Sequence, residues 1–274
     1  MVIFLNGSLL DEGQARIPVF DHGLTVGDGV FETVKVTGGE PFALRRHLDR
    51  LGLSASRLGL PAPDLAALSA GAHALLDAAG NPETARMRIT VTGGNSPLGS
   101  QRGNEPLTTV IALAELNDWG GPCDVVTVPW TRNEHGALTG IKTTSYAENV
   151  RALAYAAKRG ASEAIFANTQ GNLCEGTGSN VFLVTGGELV TPPLSSGCLA
   201  GITRALVLEW FGGTERDVSM ATLATADEAF LTSTTRDVQA IKVVDGVQLP
   251  DAPGPVTRKA AQVFASRAAL SPDP

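Results

Sequence analysis

A chain of 274 residues with 43% hydrophobic content is long enough to bury a sizeable core, and fits two domains or one large one. Its formal net charge of -7, with no basic cluster beyond Leu44-Arg45-Arg46-His47, excludes the electrostatic footprint of a nucleic-acid or anionic-membrane binder. No apolar run approaches the ~18 residues that span a bilayer, and residues 1–7 show neither a basic n-region nor a cleavage site, so the expected location is the cytoplasm.

The chain opens on a predicted hairpin, Val2–Leu5 and residues 8–10, turned by Asn6-Gly7, which supplies the positive φ angles of a type I′ turn. A strand follows at Gly29–Thr37, where Val30, Glu32, Val34 and Val36 alternate with Phe31, Thr33 and Lys35 before Gly38-Gly39 ends it. Leu44, Leu48, Leu51, Ala55 and Leu58 recur at helical spacing, predicting a helix over Leu44–Leu58, and a second helix covers residues 64–79. Strands are expected at residues 87–92 and at Thr108–Ala114, on either side of a Gly- and Pro-rich loop. A linker is expected at residues 117–123, dividing the chain into domains at 1–116 and 124–274.

The second half resumes with a strand at residues 125–130. A helix then starts after Lys142, with Ser145 and Glu148 as a capping box and Val150, Leu153, Ala154 and Ala157 as its apolar stripe. Strands at 164–167 and 180–184, a helix at 202–211, a strand at 228–232, a hairpin turned by Asp245-Gly246 and a helix at 257–269 complete the series. Strands and helices do not alternate regularly, so the expected fold class is α+β rather than a doubly wound sheet.

Three cysteines, Cys123, Cys174 and Cys198, are odd in number and far apart, which fits reduced thiols. His22, His47, His73 and His135 are equally scattered, so no metal is expected. Among five lysines Lys142 stands apart: it follows Gly140-Ile141 and precedes the hydroxyl run Thr143-Thr144-Ser145, although a solvated surface lysine fits that pattern too. Glu175 leads a loop of small residues, Gly176-Thr177-Gly178-Ser179, that lets a ligand approach the backbone; a plain β-turn reads the same way. A dinucleotide fingerprint fails there, because Val181 takes the third glycine position and no helix follows. Residues 195–203 form a Gly/Ser-rich loop running into a helix start, where free N–H groups suit a monophosphate or simply an ordinary capped helix. Thr232-Ser233-Thr234-Thr235 adds a hydroxyl cluster at a strand end.

In chain order Arg50, Lys142, Glu175, Gly201-Ile202-Thr203 and Ser233-Thr234, with Gly27-Asp28-Gly29-Val30-Phe31-Glu32 before them, resemble the fold-type IV pyridoxal-phosphate enzymes. That group holds branched-chain and D-amino acid aminotransferases, (R)-selective amine transaminases and aminodeoxychorismate lyases. The resemblance implies a small N-terminal α/β domain, a larger C-terminal barrel-like domain, pyridoxal 5′-phosphate between them and a homodimer. It implies that Lys142 holds the cofactor as a Schiff base and moves the proton at Cα, and that Glu175 keeps the ring nitrogen protonated. Arg50, Gly201, Ile202, Thr203, Ser233 and Thr234 would bind the phosphate, Tyr146 the ring hydroxyl, and Leu199 and Gly178 the remaining surface of the cofactor. Phe31, Arg102 and Thr235 would line the substrate pocket.

The expected reaction is transfer of an amino group from a small donor, a D-amino acid or an (R)-amine, to a 2-oxo acid. The alternative inside the family is 4-amino-4-deoxychorismate lyase, releasing 4-aminobenzoate and pyruvate. Outside it stands a non-catalytic binding module. The D-amino acid enzymes often carry an arginine and a histidine in the loop after the fourth strand to hold the substrate carboxylate, and the matching positions here are Leu98 and Ser100. Arg102 or Arg236 is the expected replacement, unless the substrate lacks a carboxylate there.

Overall fold

The computed structural model describes residues 1–274 as a mixed α+β chain in two compact units. The first comprises Met1–Asn117, Ile141–Tyr146 and Ser271–Pro274; the second comprises Asp118–Gly140 and Ala147–Leu270.

In the first unit, β1 (Val2–Leu5) and β2 (Ser8–Asp11) form the expected hairpin, with Asn6 at φ 49° and Gly7 at φ 89°. A short turn of helix, α1 (His22–Thr25), precedes β3 (Gly29–Thr37) and β4 (Glu40–Pro41). Two helices follow, α2 (Leu44–Leu58) and α3 (Leu65–Ala78), the second capped by Asp64, whose side chain accepts from Ala67 N–H. Strands β5 (Thr84–Thr92) and β6 (Thr108–Ala114) complete an antiparallel sheet in the order β2-β1-β6-β5-β3-β4. Period-two alternation puts Val30, Val34, Met87, Ile89 and Val91 on one face, where they pack with Leu48, Leu51, Leu75 and Leu76 of the helices. At ~25 cal/mol per Å² of apolar surface removed from water, this face supplies the unit's main stabilisation.

The second unit begins with β7 (Cys123–Arg132), α4 (Ala147–Ala157), β8 (Glu163–Asn168), β9 (Leu173–Gly176), β10 (Asn180–Thr185) and β11 (Glu188–Thr191). It continues with α5 (Ile202–Trp210), β12 (Thr214–Glu215), β13 (Glu228–Ser233), β14 (Asp237–Val244), β15 (Val247–Gln248) and α6 (Pro255–Ala268). Its nine-stranded sheet runs β12-β11-β10-β13-β14-β7-β8-β9, with β15 paired to β14. The sheet is mixed: β7 pairs in parallel with both β14 and β8, whereas β8–β9, β10–β13 and β13–β14 are antiparallel. Residues 180–181 and 231–232 therefore lie side by side, Asn180 opposite Thr232.

Three expectations are corrected. The segment Ile141–Tyr146, which carries Lys142, does not stay with residues 124–274 but groups with the first unit. Phe31 N–H donates to Lys142 O (3.0 Å), Thr144 N–H to Gly29 O (2.8 Å) and the Thr143 hydroxyl to Gly29 O (3.0 Å), so the segment pairs with the stretch of β3 that β4 leaves uncovered. The apolar stripe assigned to α4 is likewise on the wrong face. Val150 and Leu153 are exposed, and the buried residues are Asn149, whose amide donates to Thr177 O, and Ala152 and Ala156, which pack with Val126, Val128 and Phe166. Nor does Ser145 cap the helix: its hydroxyl donates to Gly27 O (3.0 Å), while Glu148 pairs with Arg132.

Candidate active site

In the first unit Lys142 is partly buried, and its amine sits over the ring of Phe31, 4.4 Å from the centroid, and 5.9 Å from the centroid of Tyr146. The two rings meet edge to face, 5.0 Å apart. Lys142 is fixed at its backbone as well, through the bond from Phe31 and through its own N–H, which donates to Ser54 Oγ of α2 (3.3 Å). Aromatic faces on this side exclude water from the amine while offering the cation their π-electrons.

The neighbouring residue of β3, Glu32, points the other way, into the core, and is 0% exposed. A carboxylate so placed needs partners. It has two on one face of α2: Arg50 donates through Nε to Oε1 and through Nη2 to Oε2, both at 2.7 Å, and His47 Nδ1 lies 2.7 Å from Oε2. Burial works against the charge of Glu32, but Arg50 and His47 outweigh it and hold its pKa down at about 2. Burial also keeps His47 below the ordinary histidine value, so it stays neutral at neutral pH and donates from Nδ1.

In the second unit Glu175, on β9, accepts from the Leu199 N–H (2.9 Å), and its other oxygen lies 3.3 Å from Arg132 Nε at the end of β7. Arg132 is held in turn by the Asn149 side chain (2.8 Å), by Glu148 and by stacking over Phe166 at 4.3 Å. The small-residue loop after Glu175 is shaped from below by Glu163, which is 2% exposed and accepts from Thr177 N–H (3.0 Å) and the Ser179 hydroxyl (3.0 Å). Asn180 donates to Leu199 O (2.9 Å), which ties the loop to the segment entering α5.

That segment has the features of an anion cradle. Gly201 caps α5 without any side-chain bond, so the first-turn N–H groups of Ile202 and Thr203 have no partner in the helix itself. A Cβ at Gly201 would stand 1.9 Å from Asn180 Oδ1, so a larger residue would displace the Asn180 side chain from this approach. On the adjacent strand the Thr232 hydroxyl is buried with no hydrogen-bond partner, an orphan that a phosphate oxygen would satisfy. Ser233 and Thr234 follow it, partly buried. The donor set therefore fits a monophosphate, and the lysine fits a carbonyl-bearing cofactor.

Residues 29–244 match the model of the family described as amino-transferase class IV. The chain belongs to that family. This class IV aminotransferase is accordingly a pyridoxal-phosphate-dependent enzyme. It is 33% identical to a putative branched-chain-amino-acid aminotransferase of Methanocaldococcus jannaschii, over 96% of this chain and 95% of the relative. It is 28% identical to the D-alanine aminotransferase of Staphylococcus haemolyticus, over 96% of each chain. Among solved structures, the branched-chain aminotransferase from Thermoproteus uzoniensis with norvaline superposes at a TM-score of 0.89 with 30% identity, covering 98% of this chain and 94% of that one.

Of the residues expected at the site, this aminotransferase gathers Phe31, Lys142 and Tyr146 in one unit and Glu175, Leu199, Gly201, Ile202 and Thr203 in the other, where Thr232, Ser233 and Thr234 close the adjoining strand. Gly178 is exposed in the loop after β9, and Thr235 lies in the turn beyond β13. Neither expected replacement for the carboxylate-binding pair is at liberty. Arg102 is forked onto Asp28 at 2.6 Å twice and donates to Leu58 O (2.9 Å), and burial, though it raises the Asp28 pKa, is outweighed by Arg102 and His22. Arg236 is buried over Trp119 (3.6 Å) beside Gln239 and Glu163.

Three residues of evident consequence were not singled out from the sequence. Glu32 carried a signal, a charge in the apolar register of Val30, Val34 and Val36, and His47 and Arg50 one helical turn apart answer it. Arg132 carried none, since its role depends on the pairing of β7 and the turn before α4.

Proposed function

We propose that this aminotransferase moves an amino group from a small donor, a D-amino acid or an (R)-amine, to a 2-oxo acid, and that it works in the cytoplasm as a homodimer. The observation that carries the reading is Lys142, whose amine is held 4.4 Å from the Phe31 ring centroid by a backbone tied to β3 and α2. The choice of donor is supported by the D-alanine aminotransferases among the relatives and by the segments at residues 175–180 and 232–235. The cytoplasmic placement is supported by three free, buried thiols, and the dimer by the exposed apolar residues Val19, Phe20, Leu24 and Val26. No helix is long and apolar enough to cross a membrane.

When bound, pyridoxal phosphate supplies a carbonyl that takes up the donor amine and a ring that accepts the electrons left at Cα. Lys142 would hold the cofactor and then carry the proton at Cα. Glu175, held in place by Arg132 and the Leu199 N–H, would retain the proton on the ring nitrogen. Ile202 and Thr203 N–H groups, with Ser233 and Thr234, would bind the phosphate, and Arg50, aimed by Glu32, would add a charged donor. Tyr146 would meet the ring hydroxyl, and Leu199 and Gly178 would border the cofactor.

The test is to mix holoenzyme with a panel of donors and no acceptor. Loss of the cofactor's visible absorption with a D-amino acid or (R)-amine, and its return on adding pyruvate or 2-oxoglutarate, is the expected result. Consumption of aminodeoxychorismate with no keto acid present, and no response to any donor, would establish the lyase instead.

A further inference from the structure

We infer that Arg88 receives the α-carboxylate of the substrate, which makes carboxylate-bearing amino donors, rather than simple amines, the preferred class. The inference rests on the transaminase reading above and deepens it.

The sheet register places the residue. In the antiparallel pair β3–β5, Phe31 lies opposite Thr90 and Thr33 opposite Arg88, so these four side chains share the face turned away from the helices and the core. On that face the Arg88 guanidinium lies over Phe31, its Cζ 3.2 Å from the ring centroid, and Lys142 places its amine 4.4 Å from the same centroid. One aromatic ring thus organises the amine that does the chemistry and a planar, two-pronged cation beside it. In an α-amino acid the carboxylate is attached to the very carbon that bears the reacting nitrogen, and these two groups need such a pair of neighbouring sites.

Arg88 also differs from Arg45, Arg50 and Arg102 of its unit in having no carboxylate partner. Arg50 is taken by Glu32, Arg102 by Asp28 and Arg45 by Asp273, whereas Arg88 reaches only the Thr90 hydroxyl, at 3.4 Å. The residue as a whole is exposed, yet desolvation of its head group draws its pKa down to about 10, which leaves it charged at neutral pH. A planar fork, already partly stripped of water and lacking an anion, is suited to bidentate capture of a carboxylate. Leu98 and Ser100 offer no competing charge, and Leu98 is 74% exposed.

The experiment compares wild type with Arg88→Met and Arg88→Lys as holoenzymes. Butanoate and butanamide are titrated against the cofactor absorption, and the half-reaction without acceptor is timed with D-alanine and with (R)-1-phenylethylamine. Losing a charge-assisted fork should weaken butanoate binding by roughly 10- to 100-fold in Arg88→Met, and should lower the D-alanine to amine preference by a similar factor. Arg88→Lys, which keeps the charge and loses the fork, should fall between, and it carries the test alone should the methionine variant not fold. Equal weakening for butanoate and butanamide, an unchanged donor preference, or wild-type butanoate affinity in both variants overturns the inference. If wild type responds to no donor, the transaminase reading fails, and the butanoate titration still decides Arg88.

Discussion

Arg50 and Glu32 meet as two forks, Nε to Oε1 and Nη2 to Oε2 at 2.7 Å each, with the carboxylate fully buried and the guanidinium side chain only 12% exposed. The pair joins the first turns of α2 to the middle of β3, the strand that also anchors the backbone of Lys142. A contact that fixes the fold thereby aims a residue proposed for the phosphate.

The first prediction is the acid limit of stability. Glu32 has a folded pKa of about 2 against an ordinary 4.5, so its contribution is complete above 4.5 and is lost as pH falls toward 2; the shift corresponds to about 3 kcal/mol. His47, also depressed, adds to the loss below its ordinary 6.5, because the unfolded chain takes up the proton first. Glu32→Gln should cost about 3–5 kcal/mol at neutral pH by leaving Arg50 buried beside a neutral amide, and should flatten the acid slope. Urea unfolding of both proteins across pH 3–7 measures this, and matching curves would discard the account.

Lys142→Ala should abolish the half-reaction, with turnover reduced by a factor on the order of 10⁴ or more, if the covalent link and the proton carrier proposed for Lys142 are both lost. Borohydride treatment of wild type should add the mass of a reduced cofactor to the peptide containing Lys142 and to no other. Modification of another lysine, or near-normal turnover in the variant, would remove Lys142 from its role.

How much of this was legible depends on whether the determinant was local. The Asn6-Gly7 turn, the alternation over Gly29–Thr37 and the spacing in Leu44–Leu58 are local, and the elements lie where those patterns put them. The short strands Leu173–Gly176 and Glu188–Thr191 gave no period to read, and exist because neighbours in the sheet supply their hydrogen bonds. On α4 the larger residues Val150 and Leu153 suggested the buried face, but the space beneath the helix admits only Asn149, Ala152 and Ala156. Lys142 and the hydroxyls after it could be found, whereas Arg88 could not, because its meaning comes from standing diagonally across a strand pair from Phe31.

A third prediction concerns the cradle at α5. Gly201→Ala would drive a methyl group into Asn180 Oδ1 at 1.9 Å, so the helix start or the Asn180–Leu199 bond must yield. The expected stability cost is about 1–3 kcal/mol, as for overpacking elsewhere. Cofactor affinity should fall at least about tenfold, because phosphate contacts at a preformed helix start tolerate little displacement. Equilibrium dialysis against pyridoxal phosphate reads it; retained affinity would move the phosphate away from this turn.

The fourth prediction separates what Glu175 does from what Arg132 does for it. If the charge of Glu175 holds the proton on the ring nitrogen, Glu175→Gln should lower that nitrogen's pKa and slow loss of the Cα proton, by roughly tenfold for each pKa unit given up, while cofactor affinity changes little. Arg132 touches Glu175 at 3.3 Å and is itself clamped by Asn149 and Phe166, so its part is orientation. Arg132→Met should therefore reproduce a fraction of the Glu175→Gln defect, and the double variant should be no slower than Glu175→Gln alone, because both changes act through one carboxylate. The measurement is the single-turnover rate with Cα-deuterated against protiated donor, whose isotope effect shows that proton loss is the slowed step. Additive defects in the double variant, or a Glu175→Gln rate equal to wild type, would mean that the ring nitrogen faces some other group.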